Sequence, residues 1–411
     1  MSLSTSGGSS NIKSIPFTTT LNSSNSNNKM SINDSYNSTS LNGNGKEIQS
    51  KIFRQNSRHP QGGWKFIDSE ELKKQRGVCW ELVKSVGNSI VEGKELVNTC
   101  LPISLFEPRS FLEKLTDTFA YASFYLNKAA ECTDPLERMK LIISFCISGL
   151  HLTSTLTKPF NPLLSETFQG RIGDDISVYC EQTSHHPPIS SWEVVGRKFH
   201  YYGYGQWSAS CLGNIVKGYQ RGPHVIEFAD GGKITWNLPD ILIKGIFFGD
   251  RVTEFSGKTL FTDEANKLVC ELKFNPHSLG FFKSLISKQK EPSDTFIGNI
   301  YKVSGDNLTS SSSSISSKKD KEKYSEDDIV AKIDGTWLTQ LNIGGNVYWN
   351  LKMVPTGILY EEDPLPSDSR FRLDLKYLKE GDIEKAKMYK AQLEDKQRAE
   401  AKSRKESLKK K

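Results

Sequence analysis

Glu181-Gln-Thr-Ser-His-His-Pro-Pro188 sets two adjacent histidines against two adjacent prolines. Pro187 and Pro188 fix their own φ, donate no backbone hydrogen bond, and push His186 out of the helical region. Just upstream, Ile176, Val178 and Cys180 alternate with Ser177, Tyr179 and Glu181, the period-2 pattern of a strand. The spacing predicts a strand that ends at the histidines and holds both imidazoles on a rigid extended segment. Such a pair suits an anionic or hydrogen-bonding ligand, and it equally suits a structural hydrogen-bond node. The residues alone leave both open. Zinc is disfavoured, because no Cys, Asp or Glu stands nearby at metal spacing and adjacent side chains diverge. Ser184 and Ser190 lack the glycine-elbow context of a catalytic nucleophile.

The 411 residues allow one large domain or two ordinary ones. Hydrophobic content is 36%, diluted by long polar segments. Seven cysteines (79, 100, 132, 146, 180, 211 and 270) are scattered and form no C-x-x-C pair, which points to free thiols in a reducing compartment. No charged n-region followed by an apolar h-region is visible near the N-terminus. The longest apolar run, Leu141–Leu152, carries Ser144, Ser148 and His151 and is too short to span a bilayer. A soluble, cytoplasmic protein is expected. The net charge of +6 is modest, with much of the excess in the last twenty residues.

Outward from the motif, residues 1–60 are rich in Ser, Asn and Thr, bury too little to offset ordering entropy, and are expected to be disordered. Val78, Trp80, Leu82, Val83, Val86 and Ile90 recur at helical spacing, so a short amphipathic helix is expected there. Phe111, Leu112, Leu115, Phe119 and Ala122 predict a second helix. A third begins at Asp134, a capping residue followed by Pro135 at the first helical position, and runs to about Leu152. Cys132-Thr-Asp-Pro-Leu-Glu-Arg138 has the C-x5-R spacing of cysteine phosphatases. Glu131, Asp134 and Glu137 make it unfit to cradle a phosphate.

From about Arg171 to Tyr301 the pattern becomes short strands between Gly, Asn, Asp and Pro turns, among them Phe199–Tyr204, Trp207–Cys211, Ile241–Phe248 and Leu268–Phe274. Strands resume at Ala331–Leu338 and Val347–Val354. This predicts a mainly β fold, an antiparallel barrel or sandwich with flanking helices. Residues 304–328 read as a disordered Ser- and Lys-rich insertion. Beyond Asp382, Ile383, Ala386, Tyr389, Leu393 and Gln397 form a helical stripe. Lys390, Glu394 and Arg398 share one face of it, and 402–411 reads as a basic tail drawn to anionic membrane.

Several of these stretches together resemble the oxysterol-binding-protein-related family. The motif 181–188 looks like its signature, and Lys158-Pro-Phe-Asn161-Pro looks like its Lys-Pro-x-Asn-Pro segment. Gly232-Lys-Ile-Thr-Trp236, Asp334-Gly-Thr-Trp337 and Glu394-Asp-Lys-Gln-Arg398 agree in order and spacing. The resemblance covers about Gly77 to Lys405 and implies one lipid-binding domain over 61–411. It implies a large, nearly closed antiparallel β-barrel around a lipid tunnel, with an N-terminal lid and a helical C-terminal region. The implied cargo is a sterol or phospholipid exchanged for phosphatidylinositol 4-phosphate at transient contacts with anionic membranes, and a sensor or scaffold that binds the same lipids without net transport fits the residues as well. By the same resemblance the headgroup rests on Lys158, Asn161, His185, His186, Lys390, Glu394 and Arg398. The lid is carried by Val78, Trp80, Leu82, Val83 and Val86. Ser165 departs from the family's usual Gly. Neither enzyme chemistry, metal, cofactor nor nucleic-acid partner is expected, and the protein is expected to be a monomer.

Overall fold

The alternation around the motif is realised residue by residue. In the computed structural model, which describes residues 52–87, 91–96, 101–153, 156–278, 291–303 and 324–409, the strand Ile176–His185 buries Ile176, Val178 and Cys180 and turns Tyr179 and Glu181 outward. It pairs antiparallel with Thr167–Ile172 on one side and with Pro188–Val195 on the other. His185 lies opposite Pro188, so His186 and Pro187, joined by a cis peptide, are the two-residue tip of a hairpin. The expected extended segment is therefore a tight turn.

Among the described residues eighteen strands join one antiparallel sheet. Two long strands make it fork and rejoin. Phe199–Leu212 pairs with His224–Phe228 along its first half and with Ile215–Arg221 along its second. Val252–Asp263 does the same with Asp240–Lys244 and Lys233–Trp236. The sequence places a break between Tyr204 and Trp207, yet the strand runs through. Gly203 and Gly205 are there for packing: a Cβ on either would stand 2.5 Å or 2.7 Å from a tryptophan ring atom, of Trp192 and Trp207 respectively. Ile241–Phe248 is shorter than expected. The strand stops at Lys244, and Gly245, at φ +72°, opens a tight loop.

Helices fill and flank this sheet. Helix α1, Ser69–Val86, is capped by Asp68, whose carboxylate accepts from Glu71 N at 3.0 Å. Apolar spacing finds only its second half, because Ser69–Gly77 is almost wholly polar. The single helix expected over 111–122 is broken into α2, Phe111–Leu115, a 3-10 turn at Thr116–Phe119, and α3, Ala122–Glu131. Thr116 and Thr118 hydroxyls donate to the carbonyls of Glu113 and Leu115, competing with the helical ladder. Helix α4, Pro135–Leu150, starts at Asp134 as read and is buried on every side from Leu141 to Leu150. A helix apolar all round belongs inside a core, and the sheet supplies its surroundings. Arg138, the last residue of the C-x5-R run, spends its guanidinium on Asp230 and on the carbonyls of Ala129 and Cys132.

Three boundaries move. Residues 1–51 of the expected tail lie outside the described residues, but 52–60 belong to the fold. Ile52 is buried in the main core, Asn56–Arg58 pairs with Trp64–Phe66, and Arg58 forms a two-bond ion pair with Asp294. Of the expected insertion, 304–323 lies outside the description, whereas Tyr324 stacks on Tyr301 and Ser325 caps a 3-10 turn. At the C-terminus α5, Leu373–Lys379, is followed by α6, Ile383–Lys409. The first residues of the expected basic tail thus continue a helix of 27 residues.

Candidate functional site

A cavity of about 1,100 Å³ is lined by the hairpin tip, α1, α6 and one wall of the sheet. That exceeds an ordinary small-molecule pocket. Its walls include Phe66, Leu96, Val216, Ile241, Ile243 and Phe247. Its polar lining includes Lys158, Asn161, His185, His186, Lys390, Glu394 and Arg398. All seven residues singled out in the sequence, drawn from three segments of which the last lies more than two hundred residues beyond the other two, line this one space.

Each is positioned by its own element. The strand Lys158–Phe160 runs parallel to Phe106–Ser110, which sets Lys158 beside the Phe106 ring at 4.9 Å. Lys390 reaches the same ring from α6 at 5.5 Å. Lys158 also donates to Asn161 Oδ1. Burial, then Lys390 and Arg372, pushes the Lys158 ammonium down to about 7. The hairpin tip is pinned by Gln182, which donates to Ser184 O at 2.7 Å and accepts from Ser190 Oγ at 2.6 Å. The two imidazoles lie edge to face at 4.5 Å. Burial first, then His186, holds His185 below the usual histidine range, and its Nδ1 is buried without a hydrogen-bond partner. On α6, Lys390 donates to Glu394, and Arg398 pairs with Asp395 at 2.6 Å. The lining face of α6 goes on past Arg398 to Arg404 and Lys405.

Sequence reading missed Arg372. Its buried guanidinium bridges Glu166 and Asp374, at 2.7 Å each, and donates to Asn161 O at 2.9 Å, tying the Lys158 loop to the start of α5. The alternation Asp368, Arg370, Arg372, Asp374 was the available signal. Of the expected lid, Leu82 and Val83 line the cavity, joined by Cys79 and Gln75, one and two turns earlier on the same face of α1. Trp80 is half exposed and packs on Phe247 at 4.8 Å. Val78 is half-buried and does not line the cavity, and the Val86 side chain lies outside the described residues.

The family model described as oxysterol-binding protein matches residues 85–411. The chain is 58% identical to oxysterol-binding protein 9 of Dictyostelium discoideum over 88% of its own length and 84% of that protein's. The chain belongs to the oxysterol-binding protein family. It is also 29% identical to oxysterol-binding protein-related protein 5 of Mus musculus, but there it spans only 37% of the relative. Among solved structures it resembles the ORD of Osh3 from Saccharomyces cerevisiae in complex with PI(4)P. The TM-score is 0.60 at 22% identity, over 79% of this chain and 84% of that one. The Osh1 ORD in complex with ergosterol gives 0.62 at 20% identity over 90% of each chain. At these identities the structures speak for the fold alone, the mainly β architecture of this oxysterol-binding protein family member.

Proposed function

We propose that the protein is a lipid carrier. It encloses a sterol or another lipid in the cavity and exchanges it for phosphatidylinositol 4-phosphate, whose headgroup rests on Lys158, Asn161, His185, His186, Lys390, Glu394 and Arg398. The observation that carries this is that those seven side chains line one cavity together with apolar residues such as Phe66, Val216, Ile241 and Phe247. Phosphate oxygens accept charge-assisted hydrogen bonds of roughly 1.5–3 kcal/mol each from the lysine, arginine, histidine and amide donors among them, and Glu394 accepts from inositol hydroxyls or holds Lys390. The unpartnered Nδ1 of His185 can donate to a phosphate oxygen once the ring carries a proton there. The PI(4)P bound to the Osh3 ORD and the ergosterol bound to the Osh1 ORD support both ligand classes.

Enclosure is what the cargo requires. An apolar body of some twenty carbons loses on the order of 15 kcal/mol if left in water, at about 0.8 kcal/mol per methylene. In this reading helix α1 is the cover, its Leu82 and Val83 lining the cavity and its half-exposed Trp80 meeting the bilayer on opening. Contact with membranes is peripheral and transient in this reading, and binding and release account for every side chain at the mouth without covalent chemistry. Mass spectrometry of lipids that co-purify with the full chain tests it. A sterol or a glycerophospholipid at near one per protein is the expected result, and a protein that carries no lipid from any source contradicts the carrier.

A further inference from the structure

We propose that Arg251 and Arg76 form a second phosphate-binding site, under α1 and built from residues other than the seven at the mouth, that takes the phosphate of an anionic phospholipid. The inference rests on reading the cavity as a lipid carrier's. Arg251 lines the cavity and is only 7% exposed. Its Nε donates to Gly245 O and its Nη2 to Ile246 O, both at 3.1 Å. A guanidinium has five N–H donors, so three have no acceptor among the described residues. Arg76, on α1, donates through Nη2 to the same Gly245 carbonyl at 3.2 Å and to Gly249 O, and its Nε is buried without a partner.

Two guanidiniums therefore converge on one carbonyl with no carboxylate between them. The nearby acids are engaged elsewhere: Asp250 by Lys65 at 2.9 Å and Glu254 by Lys244 at 2.7 Å. Burial pushes the Arg251 guanidinium down to about 10, Cys79 opposing and Arg76 adding to the effect. Like charges this close, Arg251 buried and Arg76 half-buried, with donors unfilled, are costly unless an anion joins them. A phosphate matches the fork geometry of both side chains, and the adjoining Ile246 and Phe247 suit an acyl chain. Because Arg76 rides on α1 and Arg251 on the barrel rim, the anion would also clamp the cover shut.

The test compares extraction of phosphatidylinositol 4-phosphate and of cholesterol from phosphatidylcholine vesicles by the full chain and its Arg251→Gln and Arg76→Gln variants, with melting temperatures in inorganic phosphate. The phospholipid-to-cholesterol ratio is expected to fall about tenfold in each variant, the equivalent of one charge-assisted contact, and to recover in part in Arg251→Lys. A phosphate-induced rise in melting temperature that Arg251→Gln abolishes, with the lipid ratio unchanged, keeps the site but makes free phosphate its ligand. Equal loss of both lipids with a lowered melting temperature overturns the proposal and leaves a structural clamp on the Gly245–Gly249 loop. So does an unchanged ratio with no phosphate response. If the wild-type chain extracts neither lipid, the carrier reading fails, and the phosphate arm still decides this site.

Discussion

Lys158 is held near neutrality by its surroundings, with burial, Lys390 and Arg372 all working against its charge. A phosphate at the mouth reverses that balance and favours the protonated ammonium. The free-state value, about 7, is then lower than the bound one, so binding takes up a proton and tightens as pH falls. Headgroup affinity is expected to drop roughly tenfold between pH 7 and about 8.5, where an ordinary lysine stays charged. Calorimetry in buffers of different ionisation enthalpy reads the proton uptake, and Lys158→Arg removes the pH dependence. Ser165 makes a different point. It adopts a left-handed backbone, φ +63°, a conformation that favours glycine, with its N–H bonded to Gln182 O at 2.9 Å. Ser165→Gly is expected to be neutral or slightly stabilising. Ser165→Val, branched at Cβ, should cost about 2 kcal/mol by chemical denaturation.

Among the elements, α1 carries the sharpest expectation. Its inward face, Gln75, Cys79, Leu82 and Val83, covers the cavity, while its outer face is polar apart from Trp80. Its amides should exchange with solvent through openings of lower free energy than those of α4, which is buried all round. Lipid should slow exchange in α1 far more than in the strand Leu268–Phe274, and deleting Val78–Val86 should hasten lipid escape with the barrel intact. Equal protection with and without lipid would make α1 a fixed part of the core. Legibility varied by element for physical reasons. The period-2 alternation of Ile176–His185 and the Asp134-Pro135 start of α4 were plain in the sequence because each is a local rule. The polar first half of α1 leaves no apolar period. Gly203 and Gly205 look like a turn until the tryptophan rings that need their space are known. The candidate site residues came through motif resemblance; Arg372 left only the faint alternation Asp368, Arg370, Arg372, Asp374, and Arg251 acts through tertiary neighbours that no local pattern announces.

At the scale of the whole molecule, the fold brings together a hairpin tip at 185–186, a short strand and its turn at 158–161 and a C-terminal helix at 390–398 around one cavity that also has apolar walls. Burial inside the barrel suits the tail of a lipid, and cations at the mouth suit its head. Neither alone makes a carrier. The central claim is that the histidine tip is where the headgroup is held, and extraction of phosphatidylinositol 4-phosphate from liposomes by His185→Ala/His186→Ala tests it most directly, with circular dichroism to show the barrel folded. Losing two charge-assisted contacts of roughly 1.5–3 kcal/mol each predicts at least a hundredfold weaker extraction, with sterol uptake much less affected. A folded double variant that extracts the phosphoinositide as well as the wild type would contradict the account.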